Sequence, residues 1–192
     1  MEWTIPGTVL TGQREQAIWV REQFQSLFLA GGVVRSQVAN LTGLEPHAVQ
    51  NWVKRGFVSP PKGKRYTMRQ LCRIIIINML KNALPMERIC SLLSYINGQL
   101  DDESDDCIDD AELYFAFVRV AARFTGLMND QQALLDCIHE SLADYKEPVP
   151  GAKERVEQVL AVMLFAWESC QLQKQAELLL CGLTQKGEQE NG

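Results

Sequence analysis

Residues 33–67 read VVRSQVANLTGLEPHAVQNWVKRGFVSPPKGKRYT, and this stretch decides the fold. Gly43 separates two short segments whose apolar residues recur at helical spacing, and Pro46 suits the first turn of the second segment. Residues 57–66, which we call the wing, contain two prolines and a glycine, so they form a loop or hairpin. The pattern predicts two helices joined by a turn and followed by a basic hairpin, which is a winged helix-turn-helix.

The charge of the chain is distributed very unevenly. The 192 residues carry a net charge of -5, yet residues 33–88 contain ten Lys/Arg and two Asp/Glu and so carry +8. The rest of the chain is strongly acidic. A basic block inside an acidic chain indicates a polyanionic partner for that block alone.

The second short helix is the candidate for reading DNA bases. A helix fits the major groove, and its exposed face should present His47, Gln50, Asn51 and Lys54. Glutamine and asparagine side chains can pair with adenine, whereas lysine reaches phosphate. We expect Trp52 to face inward and to pack in the core.

The basic residues of the wing are candidates for contacts with the DNA backbone. Each phosphate contact made by Lys62, Lys64 or Arg65 would release counterions, and Gly63 would allow a tight turn between the lysines. At the start of the first helix, Arg35 and Ser36 lie where a helix N-terminus can hold a phosphate. The predicted DNA-binding residues are therefore Arg35, Ser36, His47, Gln50, Asn51, Lys54, Lys62, Gly63, Lys64, Arg65 and Tyr66.

About 60 residues, a third of the chain, resemble the N-terminal DNA-binding domain of MerR-type transcriptional regulators. The segments in register are VANLTGL, NWVKRGFVSPP, KRYT, QLCRI and ALPMERICSLL. The whole layout is similar to a bacterial group of MerR-like proteins with a helical C-terminal half. The resemblance implies sequence-specific binding of double-stranded DNA by a winged helix-turn-helix, usually in a homodimer.

The chain also departs from the family pattern. The family commonly has an arginine where Gln50 stands, and its wing is longer than the one here. A long dimerising coiled coil normally follows Ile96, whereas Gly98 and an acidic stretch interrupt the chain at this point. The Cys-rich loop of the family's metal sensors is missing.

The fold class we predict is mainly all-α, with a small β-hairpin wing. Apolar spacing and breaker residues predict helices over residues 13–30, 67–82, 86–97, 111–125, 130–145 and 152–183, with a polar tail at 184–192. We expect Ser36 and Thr67 to cap the helices that follow them and Gly56 to end the second short helix. We assign residues 1–32 to an N-terminal helix, 33–98 to the DNA-binding domain, 99–110 to an acidic linker and 111–192 to a helical dimerisation or effector domain. The last helix has more apolar residues than one face can carry, so much of it must be buried in a core or at a subunit interface.

Several function classes find no support in the sequence. The six cysteines are scattered without a C-x-x-C pair, no signal peptide is evident and no apolar run could cross a membrane, so we expect a cytoplasmic protein. The chain has no phosphate loop or nucleophile elbow and only two histidines, so we predict no enzyme activity, no cofactor and no metal site.

Two alternatives to a DNA-binding regulator remain. The helix-turn-helix could serve only as a scaffold in a protein-interaction module, with the acidic half as the binding surface. The segment DDESDDCIDDAE at residues 101–112 partly fits a calcium loop, although Asp106 stands where the sharp turn requires glycine. An acidic linker that favours the N-terminus of the following helix explains the same residues more simply. The helical half of a regulator would sense an effector, either a small molecule or a protein.

Overall fold

The computed structural model describes residues 2–98, 100, 104–123 and 131–190 and confirms a mainly helical fold. The α-helices are α1 (Val20–Leu27), α2 (Arg35–Thr42), α3 (Pro46–Lys54), α4 (Met68–Leu80), α5 (Met86–Asn97), α6 (Asp110–Arg123), α7 (Gln131–Ser141) and α8 (Ala152–Glu190). The strands are β1 (Glu2–Thr4), β2 (Thr11–Gln13), β3 (Val33–Val34) and β4 (Arg65–Tyr66).

The N-terminal segment is more varied than the single helix predicted for residues 1–32. β1 and β2 form an antiparallel hairpin with Trp3 opposite Gly12, and a 3-10 helix at Arg14–Trp19 leads into α1. Asn78 of α4 donates from Nδ2 to the carbonyl oxygens of Gly7 and Thr42, at 3.0 and 2.9 Å. These two hydrogen bonds fasten the loop of the N-terminal hairpin to the end of α2.

The α2–turn–α3 unit is built as its glycines predict. Gly43 ends α2 in the left-handed conformation with φ 68°, and its N–H donates to the carbonyl of Ala39. After α3, Gly56 has φ 74°, and the N–H of Phe57 donates to the carbonyl of Trp52 at 2.9 Å. This bond closes a Schellman motif and turns the chain sharply away from α3.

The IIII run at residues 74–77 lies in the middle of α4. Thr67 caps this helix as predicted, because its side chain accepts from the N–H of Gln70 while Gln70 Oε1 accepts from the N–H of Thr67. All four isoleucines are fully buried, because α2, α5, α6 and α8 surround α4. Tertiary burial therefore outweighs the preference of β-branched residues for strands.

The wing turns back on itself as a very short hairpin, but most of its strand pairing is made outside the wing. β4 pairs antiparallel with β3, so that Val33 lies opposite Tyr66 and Val34 opposite Arg65. Within the wing only an isolated bridge joins Lys62 to Arg65. The partner of β4 is thus β3, which lies just before α2. This small sheet joins the start of the helix-turn-helix unit to the end of the wing.

The C-terminal helices pack on α4 and around α6. The predicted helix 111–125 corresponds to α6, which spans Asp110–Arg123. Residues 124–125 lie outside the described residues. α8 is longer than predicted, because it continues to Glu190 through most of the supposed polar tail. Buried side chains from the N-terminal hairpin, the helix-turn-helix unit and α6–α8 belong to one hydrophobic core. Within the described part of the chain, no helix has the length and apolarity needed to cross a membrane.

Candidate nucleic-acid interface

The outward face of α3 carries polar side chains, and its inward face is apolar. Val49 and Trp52 are buried, as the sequence predicts for Trp52. His47, Asn51 and Lys54 are exposed and line one shallow hollow of about 420 Å³. Since these three positions follow each other at helical spacing, the burial of Trp52 fixes which face of the helix they occupy.

Gln50 lies beside this hollow and has a partner from another helix. Arg35, in the first turn of α2, donates from Nη1 to Gln50 Oε1 at 3.2 Å. Both side chains are exposed, as is that of Ser36. The predicted cap at Ser36 is wrong, since Gln37 Oε1 accepts from the N–H of Val34 at 2.9 Å and α2 begins at Arg35.

The tip of the wing is a tight turn that exposes two lysines. Gly63 has φ 56° and Lys64 has φ 64°, and the N–H of Arg65 donates to the carbonyl of Lys62 at 3.0 Å. Positive φ at both central positions is typical of a type I′ turn. Lys62, Lys64 and Lys54 have no carboxylate partner among the described residues, so their charges are available to a polyanion.

Two predicted contact residues of the wing are already engaged with the protein. Tyr66 is only 3% exposed and belongs to the core, so its ring does not lie on the surface with the other candidates. Burial also raises the pKa of its phenol. Arg65 is exposed, but its Nη1 donates to the carbonyl of Gly32 at 2.7 Å, which reinforces the pairing of β4 with β3.

Polar side chains of α4 fix the base of the wing. Gln70 donates from Nε2 to the carbonyls of Ser59 and Pro60, at 3.0 and 3.1 Å. One turn along α4, Arg73 donates from Nε to the carbonyl of Phe57 at 2.9 Å. The wing is therefore anchored at its base, while Lys62 and Lys64 extend from its tip.

A buried ionic cluster connects this anchor to the acidic segment. Asp110 is fully buried, and its carboxylate lies 3.1 Å from Arg73 Nη1 and accepts a hydrogen bond from Asn97 Nδ2. Arg69 contacts Asp106 and lies 3.9 Å from Asp110. Burial raises the pKa of Asp110, and the two arginines oppose that shift.

This cluster is not predicted by the sequence, because the composition of residues 99–110 is that of an acidic linker. The only signal was the coexistence of an acidic stretch with arginines one turn apart at positions 69 and 73. Which of the acids would meet those arginines depends on the packing of α6 against α4, and the helical pattern does not reveal that.

The calcium interpretation of residues 101–112 gains no support from the described part of that segment. Asp106 and Asp110 face arginines, and the carboxylate of Asp109 accepts from the N–H of Ala111. Residues 101–103, with the first two proposed ligand positions, lie outside the described residues. No cluster of three or more His, Cys, Asp or Glu suited to a metal ion occurs in the described ranges.

Residues 31–117 match a family described as a domain of unknown function (DUF1836). The match covers a little under half of the chain. It runs from just before β3 into α6, and so contains the helix-turn-helix unit, the wing and Asp110 together. The matched region thus extends past residue 98, where we placed the end of the DNA-binding domain.

A curated relative is the Bacillus subtilis (strain 168) protein named "Uncharacterized protein YkrK". It is 33% identical over 81 residues, which are 40% of this chain and 35% of the relative. The chain thus spans about a third of the length of the curated relative that it matches. No solved structure matches the chain. The comparisons therefore establish a similarity to DUF1836 and to part of YkrK.

Proposed function

We propose that this protein is a sequence-specific DNA-binding transcriptional regulator of the MerR-like type. α3 would enter the major groove, and the tip of the wing would follow the phosphate backbone. The observation that carries the proposal is the orientation of α3. Trp52 on its inner face is buried, whereas His47, Asn51 and Lys54 are exposed together on its outer face.

The electrostatics of the same surface support this proposal. Lys54, Lys62 and Lys64 lack carboxylate partners among the described residues, although the whole chain has a net charge of -5. An acidic protein that keeps three unneutralised lysines on the helix-turn-helix unit and its wing has a surface suited to phosphate.

Arg35 and Gln50 form a unit that can read a base. Because Gln50 Oε1 accepts from Arg35, the amide of Gln50 keeps its N–H donors, and the guanidinium keeps further donors of its own. Arginine recognises guanine in the major groove. The arginine that the resemblance leads us to expect at position 50 would thus be supplied from position 35.

We infer further that the protein is a homodimer held by α8. Its exposed positions 162, 165, 169, 172, 176, 179 and 183 alternate in steps of three and four, which is the heptad spacing of a coiled coil. Phe165, Leu172, Leu179 and Leu183 lie on this stripe and are 42–69% exposed. A second copy would cover them, and a two-fold dimer would place two α3 helices roughly 34 Å apart on DNA.

Selection of bound sequences from a random DNA pool, with the full chain as bait, tests both parts. We expect enrichment of a pseudo-palindromic site, followed by saturable binding in fluorescence anisotropy that weakens steeply with salt. Absence of binding to any pool even at low salt would overturn the proposal and favour the protein-interaction module.

A further inference from the structure

A polar pocket of about 560 Å³ lies between the N-terminal hairpin, the end of α4 and the middle of α8. Residues 3–8 form one wall, Thr42 and four residues at the end of α4 contribute a second, and five residues of α8 contribute a third; the last two sets are Asn78, Met79, Lys81 and Asn82, and Trp167, Glu168, Cys170, Gln171 and Lys174. The size falls within the range of small-molecule sites. The amide of Asn78 fixes the junction of the first two walls, because it holds the carbonyls of Gly7 and Thr42.

The charges around this pocket differ in sign from the chain as a whole. Arg14, Lys81 and Lys174 line it together with a single acid, Glu168. Burial raises the pKa of Glu168, and Arg14 opposes this shift. The pocket therefore disfavours the ionised form of its one acid. The lining therefore has an excess of positive charge.

Lys81 is the cation best placed to bind a ligand. Its side chain is accessible to solvent, and no carboxylate pairs with it in the described part of the chain. Burial lowers the pKa of its ammonium group, because the walls remove part of its hydration. An anion entering the pocket would replace the missing water and supply a counter-charge.

The remaining lining suits a ligand with hydroxyl or carbonyl groups. Asn82, Gln171 and Thr4 offer uncharged donors and acceptors, and the indoles of Trp3 and Trp167 contribute apolar surface. Trp3 Nε1 is buried and has no hydrogen-bond partner within the described residues.

We propose that this pocket binds a small polar organic anion whose charge is carried by phosphate or carboxylate groups. The ligand would contact α8 and, through Thr42, the end of α2. Binding itself does not depend on the proposed DNA-binding function. Only a regulatory effect of the ligand on DNA affinity would rest on it.

The four indole N–H resonances of the ¹⁵N-labelled full chain provide a direct test without DNA. Ribose 5-phosphate and citrate represent the phosphate and carboxylate sources, and ribose is the uncharged control. We expect one of the anions to shift the resonances of Trp3 and Trp167 saturably. Trp19 and Trp52, which do not line the pocket, should stay unchanged.

Lys81→Met should weaken the binding about tenfold or more, because the anion loses a hydrogen bond to a charged group. Lys153→Met, a lysine of α8 outside the pocket, should leave the affinity unchanged. If Lys81→Met does not fold, Lys174→Met removes another positive charge of the pocket, the one that α8 contributes, and should weaken the binding in the same way. The proposal is overturned if neither anion shifts Trp3 or Trp167, if all four indoles shift alike, or if removing the pocket lysines leaves the affinity intact.

Discussion

Arg35 donates a hydrogen bond to Gln50 and thereby joins the first turn of α2 to the exposed face of α3 across 3.2 Å. The two side chains are 15 positions apart in the sequence, and the turn at Gly43 brings their helices together. This hydrogen bond favours one orientation of the Gln50 amide. In the proposed complex with DNA, the pair would reach a base edge with this bond already formed, which reduces the entropy lost on binding.

We expect Arg35→Ala and Gln50→Ala each to lower affinity for the selected DNA site about tenfold, in line with ~1–3 kcal/mol for a bidentate base contact. The double variant should lose less than the product of the two effects, because the residues act as one unit. Anisotropy titrations of the four proteins measure this coupling. Asn40→Ala, at an exposed position of α2, is the control and should bind normally. Strictly additive losses would contradict a shared contact.

Removing the charges at the wing tip should change the salt dependence of DNA binding. Each of Lys62→Ala and Lys64→Asn should reduce the slope of log K against log salt by about 0.9, as expected for one lost phosphate contact. Asparagine is chosen at position 64 because it tolerates the positive φ of 64°. Lys146→Asn, an exposed lysine far along the chain, should leave the slope unchanged. An unaltered slope in both wing variants would remove the wing from the interface.

Truncating Asp110 should strongly destabilise the fold. Asp110→Ala would leave Arg73 buried without its carboxylate, and breaking a buried pair in this way costs about 3–5 kcal/mol. Urea denaturation followed by circular dichroism measures the free energy of unfolding. The exposed Asp144→Ala is the matched control, with an expected change within about 0.5 kcal/mol. Equal stability of the two variants would show that the cluster contributes nothing.

The pair between Arg21 and Glu112 should make stability depend on pH in the acid range. The hydrogen bonds from Arg21 lower the pKa of Glu112 below its ordinary 4.5, so the folded state favours the carboxylate. This stabilisation is complete above pH 4.5 and is lost as the pH falls through the lower folded pKa. Because Glu112 is 50% exposed, Glu112→Gln should cost below about 1 kcal/mol at pH 7 and nothing once the carboxyl is protonated. A constant cost down to low pH would contradict the ion pair as its cause.

A charge placed on the α8 stripe should dissociate the dimer. Leu179 is 67% exposed, so Leu179→Lys removes no buried contact within one chain and should leave the fold intact. In a coiled coil its charge would lie in a dry interface. Light scattering should then report the mass of a monomer. Glu177→Lys changes an exposed residue beside the stripe and should remain dimeric. A wild-type chain that is monomeric at working concentration would refute the dimer outright.

Local signals in the sequence predicted local structure well. Gly43, Gly56 and Thr67 each act on their own helix end, and the structure confirms the turn, the stop and the cap that they predict. Trp52 was predicted to be buried because apolar spacing within one short helix defines its inner face.

Features that depend on distant segments were not predictable in this way. The sequence favours a packing role for Tyr66, but it does not show that pairing with Val33 is what turns this side chain into the core. The pairing of Arg73 with Asp110 spans 37 positions and requires α6 to pack on α4. The hairpin of β1 and β2 has strands of three residues, too short for an alternating pattern to be visible.

The bond between Arg73 and the carbonyl of Phe57 has a consequence for how this helix-turn-helix can be moved between proteins. The same guanidinium needs Asp110, which belongs to the first turn of α6. A fragment ending at residue 98 would keep the Gln70 bonds to the wing but would carry Arg73 without its counter-ion, so one of the two anchors at the base of the wing would lose its support. The smallest transplantable unit therefore includes α6, and a fusion that grafts only the two short helices and the wing would inherit the surface without its support.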